Sequence, residues 1–432
     1  MKEKNIKEKT QQKKKMGLTT KIFVALIAGA ILGIILCYLV PDSSFKKDVI
    51  VEGILYVIGQ GFIRLMRMLV VPLVFCSIVC GSMAVGDTKK LGSVGVKTLI
   101  FYLCTTALAI TVALTIANIF NPGKGLDMSQ IQVTSTVSET TQSMSMTETL
   151  LDIIPVNIFN SLSEGNMLQI IVFALILGVI LANMGDRVDI VKNFFGQFND
   201  IMMEMTMAVM KLAPIGVFCL IAKTFAEIGF EVFIPLLKYM FCVLLALAVQ
   251  CFVVYLGLLK IFSGLNPFIF IKNFFPVMAF AFSTSTSNAT IPMNIDTLAE
   301  KMGVSKKISS FTIPLGATIN MDGTSIMQGV AVVFTAQAFG IPLDMMDYLT
   351  VIGTATLASI GTAGVPSVGL ITLTMVFNSV GLPIEGIALI MGIDRILDMT
   401  RTAVNITGDA VCTTIVASWN KAVDRDVYYR RK

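Results

Sequence analysis

Between residues 394 and 409 the chain reads DRILDMTRTAVNITGD, a run of carboxylates, arginines, threonines and one asparagine inside an otherwise apolar region. Wound as a helix at about 100° per residue, Asp394, Asp398, Arg401, Thr402, Asn405 and Asp409 fall on one arc about 100° wide. Lipid cannot face such a stripe, because each ion at the centre of a bilayer costs at least about 2.5–3.5 kcal/mol. The stripe therefore turns toward protein or an aqueous path. The plain alternative is a structural network, with Asp398 and Arg401 pairing at i, i+3. A buried ion pair stabilises poorly compared with apolar packing, and one pair does not account for so many polar groups on a single face. Ligand binding does. A carboxylate holds an ammonium group, and a guanidinium takes a carboxylate bidentately. Asn and Asp oxygens, joined by carbonyls freed where helices break, are the hard donors that suit Na⁺. Arg395 lies just off the stripe, where it either tunes the site or rests against a polar neighbour.

The elements that must position this stripe are interrupted. Past residue 265, Ser/Thr/Gly clusters cut the apolar segments at Ser283-Thr-Ser-Thr-Ser-Asn288, at Asn320-Met-Asp-Gly-Thr324 and at Ser359-Ile-Gly-Thr-Ala-Gly-Val-Pro-Ser367. Broken backbone at membrane depth is tolerated only where it is buried in protein or lines a wet cavity. The stretch from about 347 to 381 breaks near its middle, which predicts a re-entrant hairpin. A weak internal repeat accompanies it: a tip ending in Pro292 precedes Asp322, and a second ending in Pro366 precedes Asp398 at nearly the same spacing. Paired interrupted segments in two halves of a core point to a transporter binding site.

Composition sets the class. Hydrophobic residues make up 55% and charged residues 14% of the 432, with a mean hydropathy of +0.80. Soluble domains carry about 25% charged residues, so the chain reads as one membrane-embedded unit. Apolar runs lie near 21–40, 54–84, 94–119, 165–183, 200–225 and 231–261, several longer than the roughly 20 residues a bilayer needs. The first is long enough to span and lacks a cleavage site, so it reads as a helix and not a signal peptide. The chain has no histidine and eight scattered cysteines. Cys76 and Cys80 sit one helical turn apart without further ligands nearby, and the cysteines read as small buried apolar residues. Hydrolysis, metal chemistry and redox chemistry lack residues to perform them, so neither an enzyme nor an organic cofactor is expected.

The net charge of +5 is concentrated at the ends. Seven lysines face two glutamates in residues 1–15, and five basic residues face two aspartates from Lys421 onward. Beside so many apolar runs this is the positive-inside pattern, with both ends cytoplasmic, and not a nucleic-acid surface. The connections at Lys89–Lys90, Arg187–Lys192 and Lys306–Lys307 hold most of the remaining loop cations. Residues 121–148, rich in Ser, Thr and Gln with Lys124 as the one base, read as a flexible loop on the far side.

Three stretches make the chain resemble the dicarboxylate/amino acid:cation symporter family, the glutamate transporter family, in its prokaryotic form. They are Gly316-Ala-Thr-Ile-Asn-Met-Asp-Gly-Thr324, Ser359-Ile-Gly-Thr-Ala-Gly-Val-Pro366 and Asp398-x-x-Arg-Thr-x-x-Asn-x-x-Gly-Asp409; Asn121-Pro-Gly and Leu212-Ala-Pro-Ile-Gly-Val-Phe218 also match. The resemblance implies an all-α membrane protein with eight transmembrane helices, two re-entrant hairpins (about 265–300 and 345–381), inverted repeats and an elevator mechanism within a homotrimer. Residues 1–16 and 419–432 would be basic cytoplasmic termini. Residues 17–264 would be mainly scaffold, with helices three and six of the transport domain, and residues 265–418 the transport core.

By the same resemblance, Arg401 would clamp the substrate's side-chain carboxylate and Asp398 its amino group. Thr402, Asn405, Thr324, Ser287 and a tip of Ala363, Gly364 and Val365 would complete the pocket. One Na⁺ would use Asp409 and Asn405 with the carbonyls of Gly316 and Asn320. A second would lie among Thr318, Met321, Ser359, Ile360 and Thr362, and a third among Tyr102, Thr105, Thr106, Asn320 and Asp322. Many prokaryotic members have arginine where this chain has Ser285, and Arg395 stands near the position where animal relatives carry theirs. The implied function is Na⁺-coupled uptake of glutamate or aspartate, since relatives that carry neutral amino acids lack the arginine at 401. C4-dicarboxylates, cystine and neutral amino acids remain alternatives, and an anion channel or a receptor more remote ones. The organism reads as bacterial and the location as its cytoplasmic membrane.

Overall fold

The computed structural model describes residues 18–86, 93–126, 154–229, 233–360 and 368–429. Among these, nearly everything is helical, as a lipid-facing backbone requires, since it must satisfy its own N–H and C=O groups. The order is α1 (Leu18–Tyr38), a π-wound start (Phe45–Leu55) running into α2 (Tyr56–Gly86), α3 (Ser93–Phe120), α4 (Ile158–Glu164), α5 (Met167–Met184), α6 (Asp189–Met210), α7 (Ala213–Ile228), α8 (Phe233–Val249), a π-turn (Gln250–Tyr255) and α9 (Leu256–Ser263). The second half continues with α10 (Pro267–Thr284), α11 (Ser287–Met302), α12 (Lys306–Ile319), α13 (Asp322–Ala338), α14 (Met345–Ser359), α15 (Val368–Ser379), α16 (Glu385–Trp419) and α17 (Arg425–Tyr429).

Six helical stretches among the described residues are long and apolar enough to cross a membrane: Thr20–Tyr38, Phe45–Met83, Val94–Phe120, Gln169–Met210, Phe233–Ser263 and Pro267–Thr284. Their outward faces carry Ile27, Ile31, Ile100, Leu108, Ile176, Phe241 and Phe252 exposed, as suits an apolar solvent. The longest helix, α16, is shielded differently. Residues 401–417 are buried throughout, because α8, α9, α10, α12 and α13 all pack around α16. A second group, α1, α2, α5, α6 and α7, packs mainly within itself.

Two sequence expectations change. The apolar run at 200–225 is not one helix: α6 ends at Met210, and Pro214, in the first turn of α7, starts a new one, as proline at a helix start favours. Pro292 does not end a tip, because the break falls at Ser285 and Thr286 and Pro292 lies inside α11. Ser285 closes α10 in the left-handed region at φ 53. The C-terminal stretch 420–429 packs against the rest of the chain: Asp424 N donates to Gly303 O at 2.8 Å, Arg425 Nη2 to Ser263 O at 3.1 Å and the buried Tyr428 hydroxyl to Asn266 O at 2.9 Å. Most of the polar stretch at 121–148 lies outside the described residues.

Candidate functional site

The site is built where α16 meets two helix breaks. Asn320 and Met321, in extended and irregular conformations, separate α12 from α13 and leave backbone groups free of the helical ladder. Glycines let the pieces close in. A Cβ at Gly323 would lie 2.8 Å from Arg401 O, and one at Gly408 would lie 2.5 Å from the Tyr255 hydroxyl and 2.6 Å from Asn320 Nδ2. A Cβ at Gly316 would run into the Asp409 carboxylate and the Tyr102 hydroxyl.

At one end of the stripe Arg401, 1% exposed, sits between two carboxylates. Its Nη1 is 2.8 Å from Asp394 Oδ1 and its Nη2 is 2.9 Å from Asp398 Oδ1. Thr402 donates to the Asp398 carbonyl at 2.8 Å. A Cβ at Gly369, the second residue of α15, would lie 3.5 Å from Arg401 Nη2, so that helix borders the guanidinium. In the middle, Asn405 Oδ1 accepts from Gly323 N at 2.7 Å, and its Nδ2 points to Met321 Sδ at 3.4 Å. Thr324 Oγ1 reaches the same sulfur at 3.9 Å.

Deeper in, Asn320 Nδ2 donates both to Asn405 O at 3.0 Å and to Asp409 Oδ1 at 2.8 Å. Its Oδ1 is buried without a partner, an acceptor facing no donor. Asp322, fully buried, accepts from Thr106 Oγ1 at 2.6 Å, Tyr255 OH at 2.7 Å and Gln250 Nε2 at 3.1 Å. Thr105 joins through its carbonyl, which takes a 3.4 Å bond from Gln250. Tyr102 donates to Thr312 O at 3.2 Å. Among the described residues, no lysine or arginine lies within ion-pair distance of Asp322 or Asp409. Two buried carboxylates held only by neutral donors form a site short of positive charge, since an isolated buried ion is far costlier than a paired one.

The remaining expected residues are placed less centrally. Ser285 and Ser287 are buried at the α10–α11 break, and the Ser285 hydroxyl has no partner. Thr318 bonds its own helix at Pro314 O and Ser359 bonds its own at Thr356 O. Ile360 ends the described part of that segment, so Thr362, Ala363, Gly364 and Val365 lie outside the described residues, as does the Arg395 side chain. Sequence reading missed Gln250 and Tyr255. The lone amide of Gln250 in an apolar run was the available signal, because polar groups at membrane depth mark function.

An interrupted helical core around a buried, charged stripe, beneath apolar outward faces, defines a multi-pass membrane transporter. The sodium:dicarboxylate symporter family model matches residues 18–419. A proton/sodium-glutamate symport protein of Bacillus caldotenax is 40% identical over 411 residues, 94% of this chain and 95% of that one. A proton/glutamate-aspartate symporter of Escherichia coli (strain K12) is 37% identical over 95% of this chain and 94% of its own. A C4-dicarboxylate transport protein of Ralstonia nicotianae is 32% identical over 94% of this chain and 93% of its own. The chain belongs to the sodium:dicarboxylate symporter family, a family of transporters and not of enzymes.

Proposed function

We propose that this symporter carries acidic amino acids, glutamate or aspartate, into the cell together with Na⁺. The observation that carries the reading is the pairing of Arg401 with Asp394 and Asp398 on a helix that also presents Asn405 and Asp409. One guanidinium between two carboxylates can exchange a partner: a substrate carboxylate takes Arg401, and the released Asp398 takes the substrate ammonium. Thr402, Thr324, Asn405 and Ser287 supply the neutral polar contacts, with Ala363, Gly364 and Val365 as a closing tip. Na⁺ supplies the charge that Asp322 and Asp409 lack. Asp409, Asn405, Gly316 and Asn320 would serve one ion, and Asp322, Asn320, Tyr102, Thr105 and Thr106 another. Thr318, Met321, Ser359, Ile360 and Thr362 would serve a third. The names of the relatives at 40% and 37% identity agree with an acidic amino acid. Both of those names include protons, and the second names no sodium; the several oxygen ligands grouped around Asp322 and Asp409 are what favour Na⁺ here.

On the same reading α10–α11 and α14–α15 are two re-entrant hairpins that move with α12, α13 and α16 as an elevator. The helices of the first half, apart from α3 and the span from α8 to α9, form the scaffold of a homotrimer. Both termini are cytoplasmic, in a bacterial plasma membrane. The C4-dicarboxylate reading leaves Asp398 without an ammonium partner. Uptake of radiolabelled L-aspartate into proteoliposomes, with and without an inward Na⁺ gradient, tests the proposal in wild type and Arg401→Ala. Na⁺-dependent uptake that the substitution abolishes supports it. Succinate or cystine competing where aspartate does not would remove the acidic amino acid.

A further inference from the structure

The π-turn Gln250–Tyr255 has no counterpart among the motif segments, yet it sends two side chains to Asp322. Five residues apart on an α-helix, they would point about 140° away from each other. The i→i+5 winding of a π-turn stacks them on one side, and both are 0% exposed. Tyr255 OH donates to Asp322 Oδ2 at 2.7 Å, and Gln250 Nε2 donates to the same oxygen at 3.1 Å. Gln250 Oε1 is buried without a partner. Packing has therefore not satisfied that amide at both ends; the carboxylate and the Thr105 carbonyl orient it.

We infer that Tyr255 and Gln250 are positioning residues that set the Na⁺ affinity of the Asp322 site by competing with the cation for its carboxylate. The inference rests on Asp322 being a coupling-ion ligand. Hydrogen bonds to a charged group are stronger than those to a neutral one. The two donors therefore stabilise the ion-free carboxylate more than the carboxylate already neutralised by Na⁺. Removing either one raises the free energy of the ion-free state by more than that of the ion-bound state. Tyr255→Phe should consequently bind Na⁺ more tightly, not more weakly. A residue that merely braced the fold would act the other way or not at all.

The test uses the purified full-length protein in detergent, without amino acid. Its thermal midpoint is followed as NaCl replaces choline chloride at constant ionic strength, since a ligand of the native state stabilises it by RT ln(1 + [Na⁺]/Kd), and the half-saturating Na⁺ is fitted from that dependence. For Tyr255→Phe and Gln250→Leu, the half-saturating Na⁺ should fall by about three- to tenfold, less than the whole of a charge-assisted bond because the Na⁺-bound carboxylate keeps part of that interaction. For Asp322→Asn it should rise by at least about tenfold. An unchanged or raised value in both Tyr255→Phe and Gln250→Leu, with Asp322→Asn responding as stated, overturns the inference and leaves the cation reading standing. A wild-type response in Asp322→Asn overturns the cation reading and the inference with it. If one variant does not give a folded, monodisperse preparation, the other decides alone.

Discussion

Asn320 Nδ2 lies 2.8 Å from Asp409 Oδ1, although 89 residues separate the two in the chain. The break between α12 and α13 thus provides the donor for the last carboxylate of the α16 stripe. It also leaves Asn320 Oδ1 buried without a hydrogen-bond partner.

Asn320→Ala should therefore weaken Na⁺ coupling. On the proposed reading the ion loses its Asn320 Oδ1 ligand, a loss that outweighs the release of Asp409 from the Nδ2 donor, which by itself would favour the ion. The half-saturating Na⁺ for uptake should rise by roughly tenfold or more. An unchanged Na⁺ dependence in proteoliposomes would take Asn320 out of the site.

Two glycines give opposite outcomes with the same substitution. Gly316→Ala places a methyl against Asp409 and the Tyr102 hydroxyl, and overpacking of this kind costs about 1–3 kcal/mol. Na⁺-dependent uptake should be lost and the thermal midpoint lowered. Gly353→Ala, within α14, meets nothing within 4 Å and should hold or gain up to about 1 kcal/mol. Equal effects of the two in uptake and thermal scans would contradict this packing.

Removing Arg401 strands two carboxylates. Breaking a buried charge pair from one side costs about 3–5 kcal/mol, so Arg401→Ala should lower the thermal midpoint as well as abolish aspartate uptake. Adding Asp394→Asn removes one stranded charge. The double variant should recover part of the midpoint and none of the uptake, and recovered aspartate uptake would separate Arg401 from substrate binding.

The C-terminal helix α17 is a clasp, with Tyr428 buried at 0% exposure. Tyr428→Ala should lower stability by about 3–5 kcal/mol, as for other buried aromatic truncations. Tyr428→Phe loses only the bond to Asn266 O, worth about 1 kcal/mol. Neither should shift half-saturating Na⁺, and a midpoint unchanged in Tyr428→Ala would show that the clasp contributes nothing.

Periodicity and charge told the sequence reader much. The α16 stripe was legible because a 3.6-residue period puts residues 394 to 409 on one face whatever surrounds them, and lipid excludes ions. The breaks at Asn320 and Ser285 were legible too, since Ser/Thr/Gly clusters are poor helix material at membrane depth. The limits appear at 200–225, where a mostly apolar run with only scattered charges hid the turn at Lys211 and Leu212, and at Pro292, which a helix accommodates.

The sequence by itself determined the membrane class, the interrupted second half and the face on which the charged groups of α16 lie. Each of these follows from local composition and helical period. Only the tertiary structure decided which polar groups meet: Asn320 with Asp409, Arg401 with Asp394 and Asp398, and Gln250 and Tyr255 with Asp322. Such meetings depend on how separate helices pack and on one π-turn that resets the facing of α9. A periodicity argument assumes regular winding, so it cannot foresee a helix that adds a residue to a turn.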